Sequence, residues 1–476
     1  MTMRKTSPPV LVISMPRITA QFLASICAAA LLCTASAKEE VWRLPALPKI
    51  PTREFVITDF GAVGDGHTMN TEAFRAAIQA CAKAGGGHVV VPAGTFLTGP
   101  IELASHMALD LHRDAIIQAS DKFSDFGLPD PLPDTQAELE GLRKQLKPLI
   151  SGSKLEDVAI LGMASIIDGA GAVWWAKSDK AVERAKLLPV APDGANPGQL
   201  PAPLLYVPRP HLMVLRDCAR VQVAGVILQN SPMFHLVPYR CHDVTIESVT
   251  IHSPADSPNT DGIDPANCQD VLIRSCGVDT GDDNIALKAG IGGELPTQNI
   301  QVLDCKFLHG HGVSIGSEVQ TGVRHFLVDR CTFANTVTAL RIKSDRTRGG
   351  DVEDVTYRDI VMSNVETAIS VSLFYDNKKS ALAPELKPVT ENTPIIRNIH
   401  FEHIYCDGVT RKAGEIIGLP ESPVSDVTLQ DVRIMGAASG LTQQDVRNLR
   451  LMNVTVQTAL PADSNAVIPA QEPPKK

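Results

Sequence analysis

The chain has 476 residues, with 44 Lys and Arg against 53 Asp and Glu and a formal charge of −9. The length allows a large buried core, and the acidic balance excludes bulk attraction to nucleic acid or to an anionic bilayer. Any anion site must therefore come from local clustering of basic side chains.

Arg4, Lys5 and Arg17 precede the apolar run Phe22-Leu-Ala-Ser-Ile-Cys-Ala-Ala-Ala-Leu-Leu-Cys33, and Ala35-Ser36-Ala37 follows as a small-x-small cleavage site. This is a secretory signal pattern over residues 1–37, with Met15 an alternative start. The run is too short to span a membrane, so the expected product is exported to the periplasm or the medium, with no stable membrane insertion. Cleavage also removes Cys27 and Cys33 from the ten cysteines. Export permits disulfides among the remainder, and their spacings fit no zinc pattern. No cofactor or metal is expected.

Residues 38–52 read as an N-terminal extension and 53–460 as one domain. Asn70 or Thr71 is placed to cap a helix through Ala82, with Phe74, Ile78 and Cys81 on one apolar face. Such a helix covers the open end of a coil and hides an edge that would recruit another strand. Gly85-Gly86-Gly87 ends it, and His88-Val-Val-Val-Pro92 starts the first strands. Residues 121–200 read as a polar insertion, partly helical over 121–150.

From Val221 onward a unit repeats: a polar residue, then an alternating apolar strand. Examples are Asp243-Val-Thr-Ile, Asp270-Val-Leu-Ile, Asn299-Ile-Gln-Val and Asp354-Val-Thr-Tyr. Strands of period two at this spacing, without amphipathic helices between them, predict an all-β, right-handed single-stranded parallel β-helix with an N-terminal capping helix. Stacking coils about 4.8 Å apart buries the apolar face that one coil cannot cover alone. Cys276, Cys305 and Cys331 share one register and so are expected in an interior stack. A long step around Asp376 to Glu391 marks a loop insertion, and 461–476 reads as a loose tail.

The chemistry-bearing motifs fall on consecutive coils. They are Asn259-Thr260-Asp261-Gly262, Gly281-Asp282-Asp283-Asn284, His309-Gly310-His311-Gly312 and Arg341-Ile342-Lys343. If two coils have the same shape, His311 lies one turn, about 5 Å, from Asp282. His309 is the weaker histidine. Glycosidic hydrolysis needs a proton donor and a carboxylate that activates water or attacks carbon, and neighbouring carboxylates resist simultaneous ionisation. Asp282 is the expected acid, with Asp261 and Asp283 the water-activating pair. Arg341 and Lys343 would repel a metal but suit a sugar carboxylate.

These motifs resemble those of the polygalacturonase family of glycoside hydrolases, family 28, and Gly312-Val-Ser-Ile-Gly-Ser-Glu318 resembles bacterial members. The resemblance covers about residues 53–460 and includes Asp59–Gly66, Ile167–Gly171 and Asn230-Ser231-Pro232. It implies inverting hydrolysis of α-1,4-galacturonosidic bonds, with Asp282 as acid and Asp261 and Asp283 orienting water. It further implies that His311 supports the carboxylates and that Arg341 and Lys343 bind substrate; Asn259 and Tyr375 are added as substrate-binding candidates. The implied partner is an acidic plant cell-wall polysaccharide or its oligogalacturonides, acted on by a monomer. The long insertions allow attack from one chain end. A rhamnogalacturonan hydrolase is the nearest alternative, and a β-helical pectate lyase or a carbohydrate-binding β-helix is more distant.

Overall fold

Each repeat begins at a corner. Asp243, Asp270, Asn299, His325, Asp354, Asn398, Asp426 and Asn448, the polar residues that open the strands, all have φ between 52° and 56°. Asn and Asp are enriched in this left-handed conformation, which explains the polar punctuation of the repeat. The strands that follow pair in parallel with the next coil. Val221, Val244, Val271, Ile300, Phe326, Val355, Ile399 and Val427 occupy successive rungs of one column. A second left-handed corner (Ser248, Ser275, Asp304, Arg330, Asp359) bends each coil onto its second face.

The fold of this computed structural model is a right-handed parallel β-helix whose strands run from Glu54–Val56 to Arg450–Thr458. It describes residues 42–129, 132–133, 136–178, 207–290, 292, 294–375, 381–382 and 384–459. The signal segment 1–37 and the tail 461–476 lie outside the described residues, as do parts of 121–200 and 376–391. Within 121–200, Ile150–Ser153 and Glu156–Asp168 are rungs of the helix, so that range contains part of a coil.

The third face is built from two sheets. Ile101–Glu102, Ile150–Ser153, Met213–Arg216 and Leu236–Tyr239 form the first. Ile285–Ala289, Val313–Val319, Thr338–Lys343, Thr367–Ser372, Lys412–Ile417 and Ser439–Gln444 form the second. Between them the ladder thins to isolated bridges, Leu236↔Ile263↔Ile285 and Tyr239↔Ala266↔Lys288. Pro265, inside this weak rung, has no N–H to give the ladder.

The capping helix spans Thr71–Lys83 and buries Ala73, Phe74, Ala77, Ile78 and Cys81 against the first coils. Asn70 stands at its N-cap position but makes no capping hydrogen bond. Its amide instead pins the preceding loop, accepting from Val63 N (2.7 Å) and donating to Thr68 O (2.6 Å). Strands also begin earlier than His88, at Glu54–Val56 and Asp65–Met69.

Cys276, Cys305 and Cys331 do stack in the interior, each neighbouring pair linked by a backbone N–H to sulfur contact of 3.4 Å. Cys218, Cys241 and Cys268 are buried on successive coils of another column, which the sequence pattern did not single out. All eight cysteines among the described residues are buried free thiols.

Candidate active site

The acids cluster where coils turn onto the third face. Asp261 precedes the bridge at Ile263, Asp282 and Asp283 precede Ile285–Ala289, and His311 precedes Val313–Val319. Arg341 and Lys343 lie within Thr338–Lys343, two residues apart and therefore on the same side of the strand. The close stacking demands glycine. A Cβ on Gly310, whose φ is +89°, would lie 2.2 Å from Asp282 O, and one on Gly281 would lie 2.1 Å from Ser257 O.

Carboxylate oxygens of Asp261, Asp282 and Asp283 lie within 4.8 Å of one another. Asp282 is half-exposed; its Oδ1 accepts from Asp283 N (2.9 Å) and its Oδ2 from Asn259 Nδ2 (3.3 Å). Asp283 is buried. Its Oδ1 accepts from Ser314 Oγ (2.8 Å) and stands 3.5 Å from an Arg341 guanidinium nitrogen, and its Oδ2 accepts from Lys343 Nζ (2.5 Å). Burial pushes the Asp283 carboxyl upward, but Lys343, Lys288 and Arg341 outweigh it and hold the group below the usual carboxylate range. Asp261 shifts the other way, raised well above that range by burial and then by the charges of Asp264 and Asp282.

His311 shares the site, one coil from Asp282, whose carbonyl accepts its backbone N–H at 3.0 Å. The pairing Ile285↔Val313 sets it opposite Asp283, because the stretch from Val271 to Ile285 is one residue longer than that from Ile300 to Val313. Burial lowers its pKa against the pull of Asp283, and its Nδ1 has no hydrogen-bond partner among the described residues. His309 is exposed and pairs with Asp279 at 2.8 Å, outside the acid cluster. Tyr375 joins the cluster: its ring centre lies 5.6 Å from the Arg341 guanidinium and 5.3 Å from Lys343 Nζ. Asn259 is exposed.

Lys343 is almost fully buried and already engaged by Asp283, whereas among the described residues Arg341 keeps most of its donor fork. The two cations therefore differ in what they leave for a ligand. Beneath the acids are residues the motif reading passed over. Asp264 is fully buried, 3.6 Å from Lys288 Nζ, with its carboxyl pushed up to about 7 by burial against the opposing pull of Lys288. Lys288 also lies 3.8 Å from Glu318, which pairs with Arg348 at 3.3 Å. His235 is buried and neutral, burial pulling its pKa down to about 4. Its Nδ1 donates to Asp261 O (3.0 Å), leaving Nε2 to accept from Ser253 Oγ (3.1 Å). The signal for Asp264 was present three residues after Asp261; Lys288, a single polar residue within the apolar strand Ile285–Ala289, and His235, just before Leu236–Tyr239, carried none.

A parallel β-helix that gathers carboxylates beside buried cations has the plan of a polysaccharide hydrolase. The sequence profile of Glycosyl hydrolases family 28 matches residues 206–457, and that of Rhamnogalacturonase A/epimerase, pectate lyase-like, matches residues 55–145. A "Probable polygalacturonase" of Vitis vinifera is 31% identical over 396 residues, covering 80% of this chain and 74% of that protein. An "Endo-polygalacturonase" of Pectobacterium carotovorum subsp. carotovorum is 30% identical over 371 residues, covering 75% and 84%. Among solved structures, a hyperthermoactive exopolygalacturonase from Thermotoga maritima superposes with a TM-score of 0.70 at 30% identity, covering 88% of this chain and 94% of that one. The chain belongs to glycosyl hydrolases family 28 and is an enzyme of that type; its relatives are both plant and bacterial. Among the described residues no helix is long and apolar enough to cross a membrane.

Proposed function

We propose that this protein hydrolyses α-1,4-galacturonosidic bonds of polygalacturonan with inversion at the anomeric carbon, releasing sugar from one chain end. The observation that carries the reading is the asymmetric carboxylate cluster. Asp283 is held ionised by Lys343 and Arg341, while Asp282 is half-exposed. Asp282 delivers a proton to the leaving oxygen. Asp283, with Asp261, brackets the attacking water and accepts its proton. Arg341 and Tyr375 hold a galacturonate ring through its carboxylate and its face, and Asn259, beside Asp282, contacts the substrate. Lys343 serves mainly to keep Asp283 anionic, and His311 supports the carboxylate cluster.

Support for the substrate comes from the polygalacturonase relatives and from cations placed against the acids. Support for terminal attack is the 376–391 insertion: Arg346, three residues beyond Lys343, donates to Glu385 O at 3.0 Å and ties the loop beside the site. The enzyme acts as a monomer, exported to the periplasm or medium, and is of the bacterial type. It needs no metal, since Lys343 and Arg341 already neutralise Asp283.

The carboxylate oxygens are closer than the roughly 6.5–9.5 Å usual for inverting pairs. Stereochemistry is therefore the sharpest test. Proton spectra taken early in hydrolysis of de-esterified polygalacturonan should show the β-anomer first, with no unsaturated product and no effect of chelator. Initial α-anomer would overturn the mechanism, exclusive action on rhamnogalacturonan the substrate, and early mixed oligomers the mode of attack. Asp282→Asn should lower kcat by about 10²–10⁴-fold with the fold intact.

A further inference from the structure

Arg209 lies in none of the four motifs, yet it is buried directly behind them, with 5% of its surface exposed. One guanidinium nitrogen donates to Pro232 O (2.9 Å) and to Pro258 O (2.6 Å); the other donates to Asn259 Oδ1 (2.7 Å). The side chain thus ties the Asn230-Ser231-Pro232 turn of one coil to the Pro258-Asn259 corner of the next. Asn259 itself sits at φ 51° and is exposed.

We infer that Arg209 is a positioning residue that fixes the orientation of the Asn259 amide and, through it, the Asp282 carboxyl. A carboxamide has one accepting and one donating end. With Oδ1 held by the guanidinium, Nδ2 is turned toward Asp282 Oδ2, 3.3 Å away. A flipped amide would set its N–H groups against the guanidinium and its oxygen against the carboxylate, two repulsive contacts. An exposed asparagine without such a clamp samples both orientations. Asp282 would then lose one of its two orienting hydrogen bonds, the other being from Asp283 N. The clamp also gives the Asn230-Ser231-Pro232 segment a purpose that its own side chains do not show: Pro232 supplies a carbonyl that holds the guanidinium in place.

The inference rests on Asp282 acting as the acid, and wild-type turnover of polygalacturonan is established first so that the two readings fail separately. Arg209→Met, Asn259→Ala and the double variant are then compared, each checked for cooperative melting. Arg209→Met should lower kcat about 10-fold or more while KM changes less than about threefold, since the clamp serves the reacting group. The double variant should be no slower than Asn259→Ala, because both changes remove one linkage. Losses that multiply, a kcat unchanged in folded Arg209→Met, or an effect confined to KM would overturn the inference. Should Arg209→Met not fold, Arg209→Lys takes its place in the same cycle. Lysine keeps the charge and a carbonyl contact but not the fork, and should show the same coupling to Asn259 with a smaller loss; additivity there would count equally against the clamp.

Discussion

At the scale of single residues, environment assigns the carboxylates different states. Asp261 is raised by burial and by Asp264 and Asp282, whereas Asp283 is kept low by Lys343, Lys288 and Arg341. Beneath them, Asp264 makes stability depend on pH. Asp264 keeps its proton to about 7 in the fold, whereas an unfolded Asp loses it near about 3.9. Between those values the native state holds a proton that the unfolded state lacks, so this group's contribution to stability falls as pH rises. Melting curves at several pH values should show that fall reduced in Asp264→Asn.

At the scale of the element, the corners govern register. Asn299 holds φ 55° and donates its amide to Asp270 on the neighbouring coil, and Asn448 repeats the contact on Asp426 at 2.9 Å. Asn299→Ala should cost about 1–2 kcal/mol in a urea titration, from the left-handed backbone and the lost hydrogen bond together. Asn299→Gly should recover the backbone part, since glycine adopts this conformation freely. Equal losses for Ala and Gly would mean that the corner conformation contributes nothing. The same rungs show why spacing alone set His311 one residue off its partner: corner columns stay aligned from coil to coil, while the connection to the third face gains or loses a residue without disturbing them.

At the scale of the molecule, each coil is covered by its neighbours, so the first coil depends on the helix Thr71–Lys83. Phe74, fully buried there, anchors the cap. Phe74→Ala should destabilise by about 3–5 kcal/mol and promote concentration-dependent association through the uncovered edge, seen by light scattering. Turnover per folded molecule should be unchanged, because the acids lie several coils away. Loss of kcat without association would refute the separation of cap and site.

The coil, the polar residue that opens each strand and the four site motifs were legible in the chain because each follows from local physics. Alternating strands, left-handed Asn and Asp, and glycines under close backbone contact leave marks within a few residues. Asp261, Asp282, Asp283, His311, Arg341 and Lys343 could be gathered from coil period alone, and the structure does bring them together. The reach of Arg209 to Asn259, the burial of Asp264 against Lys288 and the capture of Lys343 by Asp283 could not be read in that way. Those contacts join residues tens of positions apart, and the charge state of each acid depends on water exclusion and on neighbours that only stacked coils supply.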